Sequence, residues 1–412
     1  MTYVDLVSKI SGIIINCEYI AGLSLSFILR YGHSMKKERF LVYASVFLIM
    51  GLSNAVIPVL PELASRDHAV HSALASSLLF SAYFIGAFLT MLPFGLLSDR
   101  YGKKKLIVFS MFLTSIAGIM LVGLEGTYCL TLARLIEGTA CGAFFPSAYS
   151  LLSEYKEKTR FFGELNFLLN AGLAAGVVIS GYLAQSFIKG GILLFTIFSI
   201  LLLFIGLRDL YYAEKVRDRN NIRSVDIQTD AVSDIKSISF RKNYLIIWSS
   251  SFLLFGVTGV VLALYPDYSV GLLSKTELSM AIAGMYASSM ITNIIAGRLH
   301  LHHAAMFRSG LILAALGTTL AVYFPIPGFI LVGTGSGIGL IGLPVAVSFM
   351  KGNRGLLMGI FNTYTYAGMG FMPIIAGALI PGLGFRPVFF LCSLALCLPV
   401  FMKYRVESES KV

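Results

Sequence analysis

Arg134 and Glu137 stand in the middle of an apolar stretch, and no other pair in the sequence invites chemistry so directly. Three residues apart, they share one face of a helix. A charge at membrane depth costs several kcal/mol unless it is paired or hydrated, so such residues face a partner or a cavity. Two chemistries follow. The pair can be a self-neutralising structural tie, or Glu137 can exchange a proton while Arg134 tunes it or grips an anion. A second constellation is Gly95-Leu96-Leu97-Ser98-Asp99-Arg100-Tyr101-Gly102-Lys103-Lys104-Lys105, a four-cation cluster between the apolar runs Ala73–Leu97 and Leu106–Leu124. Gly95 and Gly102 are expected to let the backbone turn there, and Asp99 is placed to meet a helix N-terminus or a cation.

Other patterns carry less. Gly337, Gly339 and Gly342 spell a dinucleotide-binding fingerprint, but the required preceding strand and following acidic residue are missing, so tight helix contact explains them better. His300, His302 and His303 cluster in a loop, where a solvated or headgroup-facing role outweighs metal binding. Trp248, Tyr265 and Tyr268 fit an interfacial aromatic belt. No phosphate loop, zinc spacing or catalytic triad occurs, and neither a cofactor nor a metal is expected. Cys17, Cys129, Cys141, Cys392 and Cys397 fall mostly in apolar stretches without metal spacing, as inert buried thiols do.

The elements that position these residues are membrane helices. The chain is 57% hydrophobic and 13% charged, with a mean hydropathy of +0.81, which excludes an ordinary soluble domain. Apolar residues come in runs instead of alternating, which points to helices and away from a β-barrel. Runs of about 20 residues place twelve spans at 40–60, 73–97, 105–124, 127–152, 161–186, 190–207, 243–265, 276–297, 304–325, 326–350, 355–381 and 384–403. With both ends inside, the basic residues gather on the cytoplasmic face, while the outer segments carry Arg66, Lys189, Lys275 and Arg386. The net charge of +11 is therefore read as topology and not as nucleic-acid binding. Residues 1–34 are expected to be an N-terminal leader, either a dispensable interfacial helix or a stretch before a start at Met35, with a thirteenth span as the alternative; 35–207 form the first six-helix half, 208–242 a polar cytoplasmic linker, and 243–412 the second half. An internal repeat at an offset of 196 supports the halves: Gly163, Asn166, Ala171, Gly172 and Gly181 match Gly359, Asn362, Ala367, Gly368 and Gly377.

The motif G-x-L-x-D-R-x-G-K-K-K resembles the loop between the second and third helices of major facilitator superfamily transporters. Arg134, Gly138 and Gly142 are similar to that family's R-x-x-x-G-x-x-x-G motif, with the glycines read as packing positions. Asn54-Ala55-Val56-Ile57-Pro58-Val59-Leu60-Pro61 and the span containing Gly172, Gly176 and Gly181 resemble the twelve-helix drug:proton antiporter branch, although Val177 stands at that branch's proline position. Span eleven carries the fuller form, with Gly368, Gly370, Pro373 and Gly377.

The resemblance implies an all-α integral membrane protein, two six-helix halves that rock around a central site, and no enzymatic activity. Carried over, the substrate and proton pathway comprises Asn54, Arg134, Glu137, Tyr149, Thr258 and Ser336, joined by Asn166, Asn170, Asn362, Tyr364 and Tyr366. Gly95, Asp99, Arg100, Gly102, Lys103 and Glu154 would form a cytoplasmic latch, with Asp99 meeting the helix start near Gly355 and Arg100 or Lys103 meeting Glu154. Expected partners are a small molecule, protons and the lipid bilayer, with the chain acting as a monomer in the plasma membrane. Proton-coupled export of an amphipathic compound leads. An uncoupled facilitator and a proton symporter for a sugar or organic anion stay open; a receptor or an intramembrane enzyme lacks the soluble domain or paired groups it needs.

Overall fold

The computed structural model describes residues 37–64, 72–155, 158–217, 242–298, 302–350 and 354–402, and every regular element among them is helical. Residues 1–44 and 45–412 form two compact units; of the first, the described part, 37–44, is helical. The 1–34 leader lies outside the described residues, as does most of the linker.

The helices are α1 (Lys37–Ala55), α2 (Ser72–Tyr101), α3 (Lys103–Gly123), α4 (Thr127–Ser153), α5 (Lys158–Leu183) and α6 (Gly190–Arg217). They continue with α7 (Lys242–Tyr268), α8 (Lys275–Arg298), α9 (His303–Ala321), α10 (Pro325–Ser348), α11 (Arg354–Leu383) and α12 (Phe385–Phe401). A 3-10 turn, Ile57–Val59, and a short helix, Leu60–Ala64, extend α1. Pro58 therefore bends this span and does not end it, because its missing N–H falls in the first turn of the new segment. Helix α6 runs ten residues past the expected start of the linker.

Ten helices among the described residues are long and apolar enough to cross a membrane. The two others are α4, 27 residues long but carrying Arg134 and Glu137, and α12, apolar but 17 residues long. Hydroxyl side chains inside the spans turn back on their own helix: Thr114, Thr131, Thr196 and Thr318 each donate to the carbonyl four residues earlier. That satisfies a polar group where no water is present.

Glycines set the closest helix contacts, and these contacts repeat. A methyl group at Gly138 of α4 would collide with the Tyr83 carbonyl of α2; one at Gly142 would meet Thr90 and the Ala87 carbonyl. At Gly333 of α10 the obstacle is the Met285 carbonyl of α8; at Gly337 it is Thr292 and the Ser289 carbonyl. Tyr83 and Met285, Ala87 and Ser289, and Thr90 and Thr292 are all 202 positions apart. The same shift governs a crossed pair of contacts. Gly181 of α5 sits on Ser279 and the Lys275 carbonyl of α8, while Gly377 of α11 sits on Ser77 and the Ala73 carbonyl of α2. Helices α2, α4 and α5 thus correspond to α8, α10 and α11 through one operation that exchanges partners across the bundle.

The apparent dinucleotide fingerprint dissolves into such contacts, since Gly337 faces α8, Gly339 faces Leu254 and Gly342 faces Met306. Trp248 and Tyr265 are buried and not in a belt; the Tyr265 hydroxyl donates to the Ala321 carbonyl (2.7 Å) and that of Tyr268 to the Val322 carbonyl (3.0 Å), capping the end of α9.

Gly138→Val forces an overpacked contact that costs about 1–3 kcal/mol. Gly163→Ala and Gly359→Ala, at positions with open space around the added carbon, gain up to about 1 kcal/mol of helix propensity. Thermal unfolding of the detergent-solubilised variants should separate the two classes in opposite directions; a shared response would overturn the packing assignment.

Candidate functional site

Arg134 is anchored from three helices. Its Nε donates to the Leu79 carbonyl of α2 (3.1 Å), and its Nη1 donates to the Ser53 carbonyl of α1 (3.3 Å) and to Glu137 Oε2 (2.6 Å). The guanidinium also lies 4.9 Å from the centre of the Tyr83 ring. Arg134 is 1% exposed and Glu137 fully buried, so the pair is dry. Ser53 and Leu79 can offer carbonyls to a side chain because α1, α2 and α4 approach closely, through the glycine seats of α4 on α2. The second carboxylate oxygen, Glu137 Oε1, is buried and makes no hydrogen bond. An ion pair with one unsatisfied oxygen is neutral as a whole yet keeps a place for a proton.

Tyr83, which the sequence did not single out, and Cys141, read there only as an inert thiol, complete this cluster. Tyr83 stacks its face on the guanidinium, its own hydroxyl buried without a hydrogen bond, and Cys141 is buried one turn after Glu137. Cys141 follows Glu137 by four residues, a same-face spacing that was legible, whereas Tyr83 is brought in only by the contact at Gly138. Phe84 packs on Tyr366 at 6.2 Å between ring centres. The pair therefore lies where α2 and α4 meet α11.

The remaining candidates fall into separate groups. Tyr149 donates to Asn166 Oδ1 (3.0 Å), joining α4 to α5, and within α5 Asn170 donates to the Asn166 carbonyl (2.9 Å). Asn54 donates to the Leu173 carbonyl (3.2 Å), a tie between α1 and α5. Thr258 and Ser336 share a 3.0 Å hydrogen bond between α7 and α10, apart from the Arg134 cluster. Tyr364 stacks on the buried Trp248 (5.8 Å, 8°), and Asn362 is exposed beside it in sequence.

At the basic motif, Gly102 takes φ +95° and caps α3, as a tight turn requires. Gly95 lies inside α2 with its added carbon at ordinary contact distance from Pro146, so no turn occurs there. Lys103 donates to Glu154 Oε1 (2.6 Å) and to the Ser150 carbonyl (3.3 Å), tying the start of α3 to the C-terminal turn of α4, where a cation meets the negative end of the helix. The side chains of Asp99 and Arg100, and the environment of Gly355, lie outside the described residues. The histidines differ from expectation. His302 Nδ1 accepts from the Ala304 N–H (3.3 Å), and the buried His303 stacks between His302 and Phe349, so helix capping and ring packing hold both; His300 lies outside the described residues. Among the described residues, no three side chains are grouped to hold a metal ion.

The model of the Major Facilitator Superfamily matches residues 42–349. The quinolone resistance protein NorA of Staphylococcus aureus is 31% identical over 155 residues, 37% of this chain and 39% of that protein. The class H tetracycline resistance protein of Pasteurella multocida is 24% identical over 252 residues, 59% of this chain and 62% of that one. The chain thus aligns with about two-fifths and three-fifths of these relatives' lengths. A crystal structure of the nucleoside transporter NupG superposes with a TM-score of 0.71 at 12% identity, covering 88% of this chain and 98% of that one, which is a likeness of fold. With that fold, a family match over three-quarters of its length and a bundle of membrane helices around a buried ion pair, the chain is a multi-pass membrane transporter of the Major Facilitator Superfamily and not an enzyme.

Proposed function

We propose that this protein exports an amphipathic or lipophilic small molecule across the plasma membrane in exchange for protons, by alternating access. In this reading α1–α12 all span the bilayer, as two six-helix halves joined by the 208–242 linker, with both ends in the cytoplasm. The observation that carries it is the dry Arg134–Glu137 pair with its unbonded Oε1. A proton arriving there turns Glu137 into a neutral acid, loosens its hold on Arg134, and leaves the guanidinium to the Ser53 and Leu79 carbonyls and the Tyr83 ring. Because those carbonyls belong to α1 and α2, the charge change acts on the helices that line the site, and through Tyr83, Phe84 and Tyr366 it faces α11. The names of the two resistance proteins point to drug-like substrates. The aromatic character of the neighbours, Tyr83, Phe84 and Tyr366, suits a flat apolar compound. Symport of a substrate anion on Arg134 is disfavoured, because the guanidinium already serves three acceptors.

Proteoliposomes under an imposed pH gradient test this with quinolones, tetracyclines and lipophilic cations as the panel. A substrate should set off proton movement in the parent, and Glu137→Gln, which keeps an acceptor for Arg134, should abolish it while leaving the protein folded. Substrate flux indifferent to both the gradient and the substitution would make the protein an uncoupled facilitator. The pair also sets a stability signature. Arg134→Met alone strands a buried carboxylate at a cost of about 3–5 kcal/mol, whereas adding Glu137→Met restores most of it. Thermal unfolding in detergent should show the double variant more stable than the single one; the reverse order would mean that the pair is not dry.

A further inference from the structure

Tyr83 meets Arg134 with the face of its ring, 4.9 Å from ring centre to guanidinium carbon. At that distance the negative π-face attracts a cation. The hydroxyl of the same residue is buried and makes no hydrogen bond, so the ring and not the hydroxyl makes this contact. The ring is held in place from several directions. Gly138 of α4 rests on the Tyr83 carbonyl, which fixes the backbone of α2 against α4. Phe84 meets the Tyr83 ring edge-on at 5.0 Å and itself lies 6.2 Å from Tyr366 of α11. Tyr83 is 3% exposed, so the ring cannot swing into solvent.

A ring face attracts a bare cation strongly and a neutralised pair weakly, because the carboxylate beside the cation repels the same π-cloud. While Glu137 is ionised, its Oε2 balances the guanidinium at 2.6 Å. Once a proton sits on the acid, Arg134 keeps its full charge in a dry site. The Ser53 and Leu79 carbonyls still accept from it, but they are dipoles and carry no net charge. Cys141 and Tyr366, which stand beside the cluster, are uncharged at neutral pH and offer no counter-charge. We propose that Tyr83 is the positioning residue of proton exchange: its ring is the alternative partner that holds Arg134 while Glu137 is neutral. The ring then favours the protonated pair over the ionised one, and only such a difference can shift the exchange. It also gives the shift a direction, toward α2, whose Phe84 touches α11. The inference rests on the exchange reading of Glu137 and names the group that makes the exchange affordable in a site without water.

Thermal unfolding in detergent reads the ring without any transport. Beside Glu137 the ring faces a neutralised pair; beside Glu137→Gln it faces an unbalanced cation. The fall in melting temperature from Tyr83→Phe to Tyr83→Leu should therefore be larger in the Glu137→Gln background. Phenylalanine carrying one, two or three ring fluorines at position 83 keeps the shape while draining the π-face, and it covers the case in which Tyr83→Leu does not fold. In proteoliposomes, substrate-driven proton movement should fall stepwise along the fluorine series, to about a tenth of the parent rate with three fluorines. Tyr83→Leu should be at least as slow, and Tyr83→Phe should rescue it. Equal melting losses in the two backgrounds, or proton movement indifferent to fluorination, would overturn the assignment. So would a Tyr83→Phe variant as slow as Tyr83→Leu, which would make the hydroxyl the working group. A parent that moves no protons would overturn the exchange reading of Glu137, and the melting comparison would still decide what the ring does.

Discussion

A guanidinium that never meets water governs how this bundle is built. Arg134 needs acceptors at a depth where only the protein can supply them, and it takes two backbone carbonyls, one carboxylate oxygen and the face of a tyrosine ring. Backbone carbonyls inside helices are already engaged, so Ser53 and Leu79 can serve Arg134 only if α1 and α2 come within reach of α4. The glycines at 138 and 142 permit that approach, and α4 carries them one and two turns after the arginine. Charge burial and close packing are thus one constraint seen from two sides. Removing either would leave the other without support.

The pseudo-symmetry of the helices makes the pair's singularity plain. The positions 195 residues after Gly138 and Gly142 are Gly333 and Gly337, which make the same contacts with α8. By the same shift Arg134 and Glu137 correspond to Phe329 and Val332, both buried and apolar. The scaffold is duplicated and the chemistry is not. One set of helices carries a buried ion pair; the other has aromatic packing there, as where Tyr265 meets Phe329 edge-on at 4.9 Å.

Much of this was legible in the residue order because membrane helices announce themselves by length and apolarity. Except at the end of α6, the helix borders fall within a few residues of the apolar runs, and the Arg134–Glu137 contact follows from a spacing of three. What escaped was whatever depends on a neighbour distant in the chain. Tyr83 is an ordinary aromatic residue of α2 until Gly138 brings it over Arg134. Tyr265 reads as a belt residue until the end of α9 offers it a carbonyl. Gly95 reads as a turn, yet α2 continues through it for six more residues, because nothing at Leu96 to Tyr101 breaks a helix and the left-handed residue comes only at Gly102.

The crossed seats of Gly181 on α8 and of Gly377 on α2 bear on how such a bundle can move. At each seat a glycine meets a serine and a backbone carbonyl, so the closest atoms there belong to no long side chain. Interdigitated leucines or phenylalanines would have to leave one set of rotamers and find another each time the surfaces parted. A bare backbone resting on a small hydroxyl residue has no such teeth. The two glycine seats thus lack the interlocking that the Phe84–Tyr366 and Phe88–Phe371 ring pairs give α2 and α11 elsewhere on their shared face.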